Sequence, residues 1–169
     1  MFYPDLKGSD RVDSLENVTY DEIKIGDSCS FSKTLTENDL ILFATTSGDV
    51  NPVHLDQEFA SQTLFKERIA HGMWSGSLVS ATLATVMPGP GTIYLNQSLN
   101  FLRPVKLGDT LKVTLIAKEK NDEKKTVLFA CDVENQHHKA VVEGEALVIA
   151  PTEKVRLDRP VLPEVSIAS

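Results

Sequence analysis

The chain has 169 residues, 41% of them hydrophobic and 24% charged, which is enough apolar side chain for one domain with a real core. Its net charge of -7 argues against a general nucleic-acid binder, whose affinity comes from phosphate neutralisation by Lys and Arg. The polar start shows no signal peptide, and no apolar run is long enough for a membrane span, so a cytoplasmic protein without a membrane partner is expected.

In chain order, residues 1–19 lack periodicity and read as an irregular N-terminal arm. A first strand is predicted from Ser28 to Leu35. Thr36 is a suitable N-cap, with Asp39 three positions on, and Leu40, Phe43, Ala44 and Ser47 follow helical spacing up to a stop at Gly48. Asn51-Pro52 then forces a bend, read as non-helical, because the proline ring disfavours helix at the residue before it. A short helix capped by Asp56 is expected to carry Phe59 and Ala60 inward.

From His71 to Met87 no side chain is charged, which predicts a helix buried on all sides, ended by Pro88-Gly89-Pro90-Gly91. Strand signals follow at 92–101, 111–117, 127–133 and 141–150, joined by polar turns that imply antiparallel pairing. His137 and His138 fall in one of these turns and are expected to be exposed and inert. After Pro151 the chain turns charged and proline-bearing, so residues 20–150 read as the domain and 151–169 as a tail or linker. One antiparallel sheet around one long apolar helix gives an α+β fold. Cys29 and Cys131 are expected to be free thiols in a reducing cytoplasm.

Ser47-Gly48-Asp49-Val50-Asn51-Pro52-Val53-His54 sets a carboxylate and an imidazole five positions apart across the bend. Turned toward one water, Asp49 and His54 would make an acid–base pair; otherwise Asp49 caps a turn and His54 is a satisfied, partly buried ring. Asn51 could orient either group or serve only the turn. His71-Gly72 begins the buried helix, where unpaired N–H groups and the helix dipole offer Gly72 as an oxyanion donor. No His or Cys cluster has metal-ligand spacing, so no metal is expected.

The string from Phe43 through Ser47-Gly48-Asp49-x-Asn51-Pro52-x-His54-x-Asp56 to Phe59-Ala60 resembles the signature of the MaoC-like (R)-specific enoyl-CoA hydratases. Thr46 departs from it, standing where that family usually has an aliphatic residue or glycine. Ile69-Ala70-His71-Gly72-Met73 with Ser77, and Tyr94 to Phe101 with Arg103-Pro104-Val105 and Gly108-Asp109, extend the likeness over roughly residues 22–150.

The resemblance implies a single hot-dog fold and a homodimer or higher assembly. It implies hydration of a trans-2-enoyl-CoA to the (R)-3-hydroxyacyl-CoA, or the reverse dehydration, with Asp49 and His54 catalytic and no cofactor beyond the coenzyme A of the substrate. Gly72 is carried over as the carbonyl-binding amide. Ser77 either lies near the active site or is a small packing residue. Arg103 and Lys106, then Lys66 and Arg68, are candidates for the coenzyme A phosphates. Trp74 either faces the acyl tunnel, which would favour short chains, or packs in the core or at a subunit contact.

In the mechanism so expected, Asp49 takes a proton from water and His54 supplies one to the α-carbon. The proline-bearing tail also resembles the join to a phosphate acyltransferase domain in some bacterial proteins. A thioesterase of the same fold and a non-catalytic acyl-CoA-binding module are the competing readings.

Overall fold

The computed structural model describes residues 14–167. Seven strands run in chain order as β1 (Ser14–Glu16), β2 (Ser28–Thr34), β3 (Ile93–Phe101), β4 (Thr110–Asn121), β5 (Thr126–Glu134), β6 (Ala140–Ile149) and β7 (Arg156–Asp158). Four helices are α1 (Glu37–Ser47), α2 (Pro52–Leu55), α3 (Gln57–Gln62) and α4 (Gly72–Thr85). The main sheet is antiparallel throughout, with order β2-β4-β5-β6-β3. It packs around α4, so the α+β hot-dog fold expected from the sequence is present.

Alternation along the strands builds the core. Leu111, Val113, Leu115 and Ala117 of β4 and Val127, Phe129, Cys131 and Val133 of β5 are buried on one face, against Leu78, Val79 and Leu83 of α4. Small residues let this helix lie close to the sheet: a Cβ on Gly76 would stand 3.0 Å from Leu99 Cδ1. Cys29 and Cys131 both pair with Leu115 from opposite sides, as free thiols whose pKa values burial pushes up to about 12 and about 11.

The short helices follow local rules. Thr36 and Asp39 form a reciprocal capping box on α1, and Gly48 ends it in the left-handed region at φ 76°. The bend after Asn51 is itself a helical turn, contrary to the non-helical reading, because Pro52 occupies the first helical position, where its missing N–H costs nothing. Asp56 caps α3 as expected, but only Ala60 points inward; Phe59 is exposed. Adjacent residues stand about 100° apart on a helix, so one inward face cannot take both.

Two segments read as arm and tail pair with each other: β1 runs antiparallel to β7. Asn17, buried, locks them, its amide donating to Pro90 O and Glu153 O while its side-chain oxygen accepts from Val155 N–H. Residues 1–13 of the arm and 168–169 of the tail lie outside the described residues.

Candidate active site

The loop between α1 and α2 is stitched by its own sequence. Ser47 Oγ donates to Phe43 O at 2.6 Å and accepts from Asp49 N–H at 3.2 Å. The main-chain N–H of Asn51 donates to Asp49 Oδ1 at 3.2 Å, and the Asn51 side chain caps α2 through Val53 N–H. Asn51 therefore steadies Asp49 through its backbone, while its side-chain oxygen serves the turn. These contacts leave Asp49 Oδ2 facing His54 Nε2 at 4.0 Å. That span is too long for a direct hydrogen bond and fits one water donating to both groups at about 2.8 Å.

His54 is 7% exposed, whereas the Asp49 side chain is 51% exposed at the mouth of the site. His54 Nδ1 lies 2.8 Å from Ile69 O. A carbonyl only accepts, so Nδ1 carries the hydrogen, and the neutral ring presents a bare Nε2 toward Asp49. Burial holds the His54 pKa below its ordinary value, reinforced by His71 and opposed by the Ile69 carbonyl and by Asp49. Near neutral pH His54 thus faces Asp49 as a proton acceptor.

The head of α4 closes the site. His71 occupies the N-cap position but makes no side-chain cap, its ring instead reaching across to Asp49 O at 3.0 Å. Gly72 follows as the first helical residue, so its N–H has no helical acceptor. Phe101 crowds it: a Cβ at Gly72 would meet the Phe101 ring at 3.2 Å. The adjoining cavity, of about 360 Å³, is lined by His54, Gly72, Ser75, Phe101, Val105 and Val142 among others.

The remaining sequence candidates divide. Ser77 is exposed, and its hydroxyl donates to Trp74 O of its own helix, so it is a helix residue outside this cavity. Buried Ser75, which the sequence reading passed over, lines the cavity instead. Arg68 is held bidentately by Glu37 at 2.7 and 2.6 Å, and Lys106 pairs with Glu67. Arg103 lines the cavity and donates to Ala140 O, and Lys66 is exposed with φ 65°. Trp74 packs in the core, which removes the ground for expecting short acyl chains.

His71 was legible only as the residue before Gly72. Its ring stacks on His54 at 3.8 Å between centroids and 31° between planes. Asp49, His54 and His71 each bring a possible metal-ligating atom within 4.8 Å of the others. Stacked rings run their in-plane lone pairs side by side, however, and do not aim them at one ion about 2.0–2.1 Å from each nitrogen. The arrangement suits proton transfer better than metal binding.

Comparison with known proteins decides the family: the model of the MaoC like domain matches residues 22–140. The chain belongs to the MaoC-like family. It is 48% identical over 134 residues to the (R)-specific enoyl-CoA hydratase of Rhodospirillum rubrum, covering 78% of this chain and 91% of that one. It is 37% identical over 135 residues to the 3-hydroxybutyryl-CoA dehydratase of Methylorubrum extorquens, covering 80% of this chain and 85% of that one. The unliganded structure of the R-hydratase PhaJ1 from Pseudomonas aeruginosa superposes with a TM-score of 0.88 at 53% identity, covering 92% of this chain and 99% of that one.

Proposed function

We propose that this MaoC-like protein is an (R)-specific enoyl-CoA hydratase, a hydro-lyase that adds water to a trans-2-enoyl-CoA or removes it from the (R)-3-hydroxyacyl-CoA. The carrying observation is the 4.0 Å gap between Asp49 Oδ2 and His54 Nε2, beside the open N–H end of α4. The (R) outcome and the coenzyme A carrier rest on likeness to the hydratase relatives.

A water donating to both groups keeps its lone pairs free to attack the β-carbon. The thioester carbonyl sits at Gly72 N–H, where the helix dipole and an unpaired donor stabilise the developing enolate oxygen. The water proton passes into the Asp49–His54 pair as its oxygen bonds to the β-carbon, and the pair returns a proton to the α-carbon from the same face. The water thus supplies both hydroxyl and hydrogen, and the pair ends unchanged. Where His54 supplies the proton to the α-carbon, as the resemblance implies, that proton reaches it through the pair, because the only hydrogen of the neutral ring is on Nδ1, held by Ile69 O. The two groups act as one coupled acceptor and donor.

Arg103 and Lys66 are the proposed contacts for the coenzyme A phosphates, since Arg68 and Lys106 are already paired. A homodimer is proposed from β3, which pairs with β6 on one side only and exposes Ile93, Leu95 and Phe101, next to exposed Leu102 and Met73. A second copy on that edge would wall the cavity at Phe101 and Leu102. No described helix is long and apolar enough to cross a membrane, and the free thiols support a reducing cytoplasmic setting.

Crotonyl-CoA separates the readings. Loss of the conjugated enoyl absorbance without release of free thiol establishes hydration. Thiol release would make the protein a thioesterase, and neither change would leave only acyl-CoA binding.

A further inference from the structure

His71 is buried beside the site, at 2% exposure, and the mechanism gives it no proton to move. Its surroundings come from three separate segments. Nε2 lies 3.0 Å from Asp49 O, one face stacks on His54 of α2 at 3.8 Å, and the Phe43 ring of α1 stands 5.1 Å away. Its own backbone is the N-cap of α4, directly before Gly72. One side chain therefore touches the main chain of the carboxylate and the ring of the imidazole, and is covalently joined to the proposed oxyanion donor.

Stability accounts for only one of the two ring nitrogens here. Asp49 O only accepts, so Nε2 carries the hydrogen and Nδ1 is left as a lone-pair acceptor. That Nδ1 is buried with no hydrogen-bond partner. An unsatisfied buried polar atom costs stability, and an apolar side chain of similar volume would avoid the cost. The residue is placed at the expense of the fold, which is where a functional constraint is expected.

We infer that His71 is a positioning residue: its Nε2–H fixes the Asp49 main chain, and its ring, stacked on His54, sets the gap in which the water is held, in register with Gly72 N–H. The inference rests on the hydratase reading. Misplacing the pair by about 1 Å costs on the order of 10²-fold in rate, so a contact that sets a 4.0 Å gap carries catalytic weight without touching substrate. His71 also acts on the titration of His54. The titratable groups facing His54 are Asp49 from the loop, which favours the protonated ring, and His71 from the head of α4, which disfavours it.

Two variants test this, His71→Leu and His71→Gln, each assayed for crotonyl-CoA hydration across pH and for Tm. In His71→Leu we expect kcat to fall on the order of 10²-fold with KM little changed and Tm not lowered. The acid limb of kcat/KM should move to higher pH, because the group that disfavours charge on His54 is gone. His71→Gln keeps an N–H that can reach Asp49 O, so it should recover most of kcat while its acid limb stays at the shifted position.

Wild-type kcat and pH profile in His71→Leu would overturn the inference. So would an equal loss of kcat in both variants with the acid limb in place, the mark of a structural role only. If the leucine variant does not fold, the glutamine variant decides: near wild-type kcat with a shifted limb supports the inference, and loss without a shift overturns it. Wild-type protein that fails to hydrate crotonyl-CoA sinks the hydratase reading and this one together, whereas wild-type hydration indifferent to His71 sinks only this one.

Discussion

The two ends of α4 are built to opposite rules. At the C-terminal end every turn of chain is tied down. Val86 and Met87 N–H both return to Thr82 O, Gly89 N–H to Leu83 O, and Thr92 Oγ1 to Gly89 O. Asn17 and Val18 then bind the following loop through Pro90 O and Pro88 O. At the N-terminal end the N-cap side chain turns away, Gly72, whose N–H has no helical acceptor, lines a cavity, and a buried histidine nitrogen goes unpartnered. One end holds the N- and C-terminal segments onto the fold. The other leaves its polar groups free, and unpaired donors at a helix start are what a developing oxyanion needs.

This contrast predicts that substitutions at the two ends fail in different assays. The largest effect is expected from Gly72→Pro. Proline is well suited to the first helical position, and His71 already has an extended ψ of 136°, as a residue before proline requires. The variant should fold, yet it lacks the N–H, so kcat for crotonyl-CoA should drop by about 10²–10³-fold. Gly72→Ala, which adds a Cβ against Phe101 but keeps the N–H, is the steric control and should lose much less.

At the other end, Asn17→Ala leaves Pro90 O, Glu153 O and Val155 N–H without their partner, and should cost about 2–3 kcal/mol in chemical denaturation with kcat per folded molecule retained. Equal losses of activity in Asn17→Ala and Gly72→Pro would erase the distinction between the ends.

A smaller effect concerns pH. The folded state holds the His54 pKa below its ordinary 6.5, so the unfolded chain binds the extra proton first as pH falls. The contribution of neutral His54 to stability is therefore complete above about pH 6.5 and declines below it, and kcat/KM should hold through neutrality and fall on the acid side of that value. A titration midpoint for His54 above 6.5 by NMR would reverse the sign.

The sequence was most legible where structure is local. Thr36 with Asp39, Gly48 and Asp56 each carry their signal within one element, and each behaves as its residues imply. The uncharged run from His71 to Met87 forms α4 as expected but is not buried on all sides, since Met73, Ser77 and Ala84 are exposed. Asp49 and His54 were legible as a pair because five residues of turn chemistry bring them together. What escaped was non-local. Arg68 and Glu37 are 31 positions apart, so nothing near Arg68 marks it as already paired. The three-residue strands β1 and β7 are too short for periodicity and are joined by Asn17 across 136 positions. His71 reads only as the residue before Gly72, since its partners Asp49 and His54 come from a loop and a helix well upstream.

The central claim is most directly tested by Asp49→Asn, with kcat for crotonyl-CoA and Tm measured on the same preparation. The carboxylate is half exposed, so Tm should stay close to wild type, while an amide, which cannot take the water proton, should lower kcat by about 10²–10⁴-fold. A folded Asp49→Asn protein that hydrates crotonyl-CoA at the wild-type rate would contradict the account.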